Sequence, residues 1–276
     1  MLKSVVWQER YKCNFKCPYC EVIRRPQPDL PTWEKWVSAF NRIRPQVLDI
    51  TGGEPFLNKN IVDIINGLSD QTAIGITSNL SQDIQRYADE VSPKKVISMT
   101  ASYHPSQKDL TREMFLGKVL LLMSRGFHVT VNFVAYPQQM FLIPGLAKYF
   151  QSHGIRFHVD PFAEEGNELH KYTDQERKFL APYVGSDRDQ RITDKPADRF
   201  VNCSGGRDYI QVDPAGNAYR CMTYQFQNIA PFGNILDENF KLYETDTFCS
   251  MGHLCGGCDK DKVKKTTVKD PALCSA

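Results

Sequence analysis

Val5-Val6-Trp7-Gln8-Glu9-Arg10-Tyr11-Lys12-Cys13-Asn14-Phe15-Lys16-Cys17-Pro18-Tyr19-Cys20 joins a β-branched, strand-like run to a loop that carries three cysteines. A short apolar run that empties into a polar, ligand-rich loop is the repeating unit of α/β folds, whose functional groups collect at the carboxyl ends of the strands. The unit recurs downstream. Strand-like runs at 5–10, 47–51, 73–78, 96–100, 127–135 and 155–161 alternate with segments of helical periodicity. The helical segments begin near Thr32, Asn60, Ser81, Thr111 and Gln138, several of them opened by Ser, Thr or Asn as N-caps.

Six βα-like steps with right-handed crossovers wind a parallel sheet around one axis. About 200 residues precede Cys203, short of the roughly 250 of an eight-fold barrel. The expected fold is therefore α/β, a partial (β/α)6 TIM-like barrel over residues 1–200, open at one side. A stretch rich in Asp, Arg and Lys at 185–199 reads as the connector to a small extension, residues 201–276. In that extension, 209–212 and 218–221 flank the turn-forming Asp213-Pro214-Ala215-Gly216-Asn217, which predicts a β-hairpin.

The composition, 41% hydrophobic and 24% charged with a net charge of +2, is that of an ordinary globular chain. It gives no reason to expect a nucleic-acid or anionic-membrane partner. Residues 1–11 are too polar for a secretory signal, and no apolar run approaches the ~20 residues that span a bilayer, so a cytoplasmic location is expected. Nine cysteines in tight clusters fit metal or cluster ligation better than a secreted disulfide framework.

The CxxxCxxC spacing of Cys13, Cys17 and Cys20 gathers three soft ligands in one loop, enough for an iron-sulfur cluster with one iron left open. A structural zinc site is the alternative, but zinc sites usually close with four ligands, and no fourth donor sits at suitable spacing. After the second strand, Thr51 runs into Gly52-Gly53-Glu54-Pro55. Paired glycines let backbone approach a ligand, and the carboxylate that follows suits an ammonium group. Alone, such a segment would be a common turn.

Together these motifs resemble the signature of the radical S-adenosylmethionine (radical SAM) superfamily. The resemblance implies a [4Fe-4S] cluster on Cys13, Cys17 and Cys20 whose open iron chelates S-adenosylmethionine. It implies Tyr19 against the adenine, and Gly52, Gly53, Glu54 and Pro55 holding the methionine ammonium. Polar residues at strand ends, Ser78, Asn79 and Asn132 with Thr77, Ser98 and Thr100, would bind ribose and carboxylate. A reductant such as flavodoxin or ferredoxin would be a partner. Without the resemblance, these Ser and Asn residues read as turn or cap residues.

Six cysteines follow residue 200: Cys203, Cys221, Cys249, Cys255, Cys258 and Cys274. A hairpin flanked by cysteines, then Phe232-Gly233-Asn234-Ile235 and Cys255-Gly256-Gly257-Cys258, resembles the SPASM extension or its shorter twitch form. That implies one auxiliary [4Fe-4S] cluster on Cys203, Cys221, Cys255 and Cys258, although the same four thiolates would also serve zinc. Cys249 and Cys274 are left over. Cys249, close to the claw, is a candidate catalytic hydrogen-atom donor.

The expected reaction is hydrogen abstraction from a carbon of a small polar, sugar-like or aminocyclitol-like substrate, giving dehydrogenation or epimerisation. His104, His158, Asp160, Glu164 and Glu165, near strand ends, are candidate bases. The alternatives are a peptide-modifying maturase, against which the absence of a leader-binding domain counts, and a non-catalytic zinc or iron-sulfur redox sensor, which would not need Gly52 to Pro55.

Overall fold

The computed structural model describes residues 2–107, 109–184, 199–254 and 263–268. Strands β1 (Ser4–Arg10), β2 (Val47–Gly52), β3 (Ala73–Ser78), β4 (Val96–Ser102), β5 (Val129–Ala135) and β6 (Arg156–Pro161) pair in parallel, each with the next. Helices α1 (Trp33–Ile43), α2 (Ile61–Gly67), α3 (Gln85–Glu90), α4 (Arg112–Ser124) and α5 (Ile143–Ser152) form the crossovers. A further helix, α6 (Asp174–Leu180), follows β6. The α/β fold with a parallel sheet is therefore as expected. β1 is buried from Val5 to Glu9, and its Trp7 packs against α1 through Trp36 and Phe40, at ring-centroid distances of 4.6 and 5.1 Å. Such aromatic pairs add about 1 kcal/mol each beyond the area they bury.

The hairpin does not stand apart from the barrel. Its first strand, β8 (Tyr209–Val212), pairs in parallel with β1, setting Ser4 against Tyr209 and Trp7 against Val212. The antiparallel β9 (Asn217–Tyr219) and β10 (Gly233–Asn234) follow, so β6 and β10 are the edges of one nine-stranded sheet. All four residues of β8 are buried, as suits a strand with neighbours on both sides. A second sheet orders β11 (Thr247–Cys249), β7 (Val201–Cys203) and β12 (Lys265–Thr267). The second hairpin strand ends at Tyr219, not at 221, which leaves Cys221 as the N-cap of a short helix, α7 (Met222–Phe226).

Two other local expectations shift for identifiable reasons. Ser81 does not open α3: its hydroxyl bonds Asn14 Oδ1 at 3.1 Å, and the helix starts instead where Asp83 accepts from Gln85 N at 2.9 Å. Near Gln138 the chain makes a 3-10 turn at Pro137–Leu142 before α5 begins. Helix α6, unforeseen, is opened by a Thr173–Glu176 capping box. Among the described residues no helix is long and apolar enough to cross a membrane.

Candidate functional site

The three-cysteine loop leaves β1 at an irregularity in the β1–β2 register between Gln8 and Arg10. Gln27 Oε1 then accepts from the backbone of both Tyr11 and Lys12, at 2.8 and 2.9 Å, and so turns the loop back over the strand ends. Cys13, Cys17 and Cys20 line one cavity of about 120 Å³, together with Thr51, Gly52, Gly53, Thr77, Ser78, Asn79, Ser102 and His104. The carboxyl ends of β1 to β4 thus meet at one place. From β4 the lining residue is Ser102; Ser98 and Thr100 do not reach the cavity.

The paired glycines also make room for the cysteine loop. A Cβ on Gly53 would stand 2.1 Å from Lys12 O, and one on Gly52, whose φ is +126°, would stand 2.3 Å from Arg10 O. The space that side chains would fill is occupied by the cysteine loop itself. Gly53 N and Glu54 N then donate to Arg10 O and Lys12 O at 2.7 and 3.1 Å. The glycines therefore press two loops together and leave backbone, not side chains, facing the cavity.

The Glu54 carboxylate is taken up by donors of the protein itself. It is fully buried, and its carboxylate accepts from Phe56 N at 2.9 Å, Ser78 Oγ at 2.8 Å and Asn79 N at 2.8 Å. Burial raises its pKa, while Asn79 N–H, Phe56 N–H and the Ser78 hydroxyl pull it back. With these three donors it clamps the end of β2 to the end of β3. Asn79, fixed in this way, points Nδ2 toward Cys13 Sγ at 3.6 Å and Asn14 Oδ1 at 3.3 Å. Pro55 is buried at the start of the following 3-10 turn.

Burial raises the Cys13 thiol, and burial aided by the nearby Cys20 pushes Cys17 up to about 11. Thiols held protonated in this way release protons when a metal takes them as thiolates. Among the described residues no three Cys, His, Asp or Glu side chains are gathered closely enough to hold a single metal ion. A zinc ion requires its sulfurs about 2.3 Å from one centre. Three thiols lining one cavity are soft ligands of the kind an iron-sulfur cluster takes.

Tyr19 and His104 connect this cavity to its neighbour. Tyr19 O–H lies 2.7 Å from His104 Nδ1, and its ring lies 5.1 Å from that of Tyr136. Desolvation pushes His104 down to about 4, which keeps the imidazole neutral. Tyr19, Glu21, Arg24, Tyr136, Phe162, Glu164, Glu165 and His170 line a second cavity of about 350 Å³ at the ends of β5 and β6. There His170 Nδ1 lies 2.5 Å from Glu164. On β5, Asn132 is 7% exposed and its Oδ1 has no hydrogen-bond partner. It sits in register between Ser102 and His158, whose Nε2 lies 3.2 Å from Asp160. A buried acceptor left unpaired is an opening for a ligand donor.

No family model matches the chain. It is similar to GTP 3',8-cyclases: 26% identical over 181 residues to that of Staphylococcus haemolyticus, covering 57% of this chain and 53% of the relative. It is 32% identical over 144 residues to that of Brucella ovis, covering 45% and 42%. The chain spans about half the length of the curated relatives it matches. Its fold is similar to that of anSMEcpe with bound AdoMet, with TM-score 0.65, 16% identity, and 89% of this chain and 81% of that chain covered. It is also similar to Streptococcus suis SuiB bound to S-adenosylmethionine, with TM-score 0.65, 15% identity, and 87% and 64% covered. Similarity in sequence to the GTP 3',8-cyclases and in fold to these AdoMet-bound structures supports the resemblance to the radical SAM superfamily.

Away from the cavity of Cys13, Cys17 and Cys20, Cys203, Cys221 and Cys249 line a separate one with Gly205, Arg220, Thr223, Tyr224, Met251 and Lys265. Cys249 is thus placed beside Cys203 and Cys221 and does not line the cavity of the first three cysteines, where a hydrogen donor to substrate was expected. Burial raises the Cys203 thiol, opposed by Gly205 N–H and by Arg220. Cys255, Cys258 and Cys274 lie outside the described residues, as does most of the expected connector. Sequence reading missed Gln27, Tyr136, His170 and Arg220, because an isolated polar or aromatic residue in a loop carries no periodic or spacing signal.

Proposed function

We propose that the chain is a radical SAM enzyme that oxidises a carbon centre of its substrate, with Cys13, Cys17 and Cys20 holding the cleaving [4Fe-4S] cluster. When bound, that cluster and S-adenosylmethionine supply a one-electron cleavage to methionine and a 5'-deoxyadenosyl radical, which removes a hydrogen atom from the substrate. The observation that carries this reading is the single cavity lined by the three cysteines, by Gly52 and Gly53 and by the polar ends of β3 and β4. Gly52 and Gly53 offer backbone carbonyls to the ammonium, while Ser78 and Asn79, held by Glu54, shape the floor. Asn132 Oδ1, buried and unpaired, awaits a ligand hydroxyl or amine. Tyr19, its hydroxyl fixed by His104, would stand against the adenine.

Substrate enters the cavity beside Tyr19. Glu164 holds His170 through Nδ1, which leaves Nε2 to accept the proton that an oxidised carbon sheds. Cys203 and Cys221, with Cys255 and Cys258 as further thiols, would hold an auxiliary cluster able to accept the remaining electron. Flavodoxin or ferredoxin serves as reductant. Dehydrogenation is favoured over epimerisation because Cys249 lines the second cysteine cavity instead of the substrate cavity.

Two substrate classes find support. A small polar molecule suits the cavity of about 350 Å³, and BtrN, a structural neighbour at TM-score 0.50, has been solved with AdoMet and 2-DOIA. A peptide is supported by SuiB bound to precursor peptide SuiA, with TM-score 0.64. Anaerobic reconstitution followed by S-adenosylmethionine and dithionite tests the core of the proposal: iron in the protein and release of 5'-deoxyadenosine are expected. Zinc without cleavage would reject it. Transfer of substrate deuterium into 5'-deoxyadenosine, with a candidate sugar or peptide, then separates the classes.

A further inference from the structure

We propose that Cys249 is a ligand of the same metal centre as Cys203 and Cys221. The inference rests on the reading that this half of the chain holds an auxiliary iron-sulfur cluster, and it changes which thiols hold that cluster.

Strand register brings the first two sulfurs together. In the antiparallel pair of β7 and β11, Cys203 stands opposite Thr247 and Cys249 opposite Val201. Residues two positions apart in register share a face of the sheet as diagonal neighbours, roughly 7 Å apart. Two side chains at that spacing on one face can turn their sulfurs to one metal centre. Both side chains are buried, at 9% and 8% exposure, and both line the one cavity that Cys221 also lines.

The sulfurs are also prepared alike. Cys203 Sγ accepts from Gly205 N at 3.3 Å and Cys249 Sγ accepts from Met251 N at 3.4 Å, each from the residue two positions on. Cys13, in the radical SAM site, makes the same bond to Phe15 N at 3.3 Å. A backbone donor aimed at sulfur stabilises the anionic, metal-binding form, and such bonds tune iron-sulfur centres. A cysteine buried only as a small apolar side chain has no need of one.

One guanidinium then fastens the three segments together. Arg220, adjacent to Cys221 and 8% exposed, donates to Gly205 O at 3.3 Å, just beyond Cys203. It also donates to Thr247 O at 3.0 Å and Phe248 O at 2.7 Å, just before Cys249. A buried cation with these partners sets the three thiols around the cavity and offsets the charge they carry as thiolates. Cys249 held in this way has no route to a substrate radical.

The test isolates the centre. A Cys13→Ala/Cys17→Ala/Cys20→Ala variant of the full chain, reconstituted anaerobically with iron and sulfide, is expected to retain about four irons and a reduced-state EPR signal. Adding Cys249→Ala is expected to lower the iron at least twofold. Adding Cys249→Ser, which keeps the size of the side chain, is expected to keep the fold by circular dichroism while changing the g-values and the reduction potential. Iron, EPR and potential unchanged in both added variants would overturn the assignment of Cys249. No iron, or zinc in its place, in the triple variant with Cys249 intact would instead overturn the auxiliary-cluster reading.

Discussion

Glu54→Gln and Glu54→Ala ask whether the carboxylate after the paired glycines is a structural clamp or a ligand contact. Three donors converge on it: Phe56 N–H and Ser78 O–H on Oε1, and Asn79 N–H on Oε2. Leaving a buried donor unsatisfied costs roughly 1–3 kcal/mol. Alanine strands all three, for a total of about 5 kcal/mol once the Ser78 hydroxyl has turned to another acceptor. Glutamine keeps one oxygen for two of them but sets an amide N–H against Asn79 N–H, at a cost of about 2 kcal/mol.

For a chain of this size each kcal/mol lowers the melting temperature by about 2–4 °C, so the glutamine variant should melt about 6 °C below the parent. The assay is thermal unfolding by circular dichroism of protein free of cluster and of S-adenosylmethionine. A clamp shows its effect there, before any ligand is present. Parent-like melting of both variants, with only S-adenosylmethionine affinity lost after reconstitution, would show that the carboxylate faces the ligand and would refute the geometry argued for it.

Gly53→Ala forces a Cβ to within 2.1 Å of Lys12 O, a backbone atom that cannot step aside alone. The loop should shift at a cost of roughly 1–3 kcal/mol, and iron bound after reconstitution should fall by half or more; parent-like iron content would count against the loop-pressing role. Asn132→Leu removes a buried acceptor that already lacks a partner, so the ligand-free protein should melt no lower than the parent while equilibrium dialysis shows weakened S-adenosylmethionine binding. His104 titrates near 6.5 in the unfolded chain and, desolvated, only at about 4 in the folded one. The unfolded state therefore binds the extra proton between those values, and the stability of the cluster-free protein should fall by roughly 3 kcal/mol as pH drops through that window. Urea unfolding at pH 7 and pH 4.5 measures it, and His104→Gln should flatten the difference.

The strands were legible because each is a short apolar run closed by a polar loop. The run at 73–78 matches β3 residue for residue, and the others differ from the structure by at most two residues at either end. The three cysteines were legible because their ligand spacing lies within one loop. The role of Glu54 was not, since a carboxylate after two glycines reads equally as a hand for an ammonium or as a knot between strands. Its three donors, two of them on the far side of a helix crossover, come into view only in the fold. The place of Cys249 was hidden for a similar reason: its neighbour Cys203 lies 46 residues earlier in the chain, and strand register alone brings them together. Arg220 gave no signal at all, because four backbone and hydroxyl partners from three segments form no sequence pattern.

The parallel pairing of β8 with β1 has a mechanical consequence. The loop of Cys13, Cys17 and Cys20 hangs from the carboxyl end of β1, and the segments carrying Cys203 and Cys221 flank the hairpin that β1 holds as a sheet partner. Helix α7, capped by Cys221, then docks back on the same strand: Gln225 Nε2 donates to Gln8 Oε1 at 2.7 Å and to Tyr11 Oη at 3.0 Å, all three residues being buried. From the other side Arg25, five residues after Cys20, lies 4.4 Å over the Phe226 ring and donates to Gln225 O at 3.2 Å. The spacing between the two cysteine groups is thus set by one strand and a buried hydrogen-bonded contact, not by a linker. A rigid spacing of this kind would suit the one-electron exchange proposed between the two groups, and the hydrogen bonds of the buried glutamines, which are costly unless paired, help to set it.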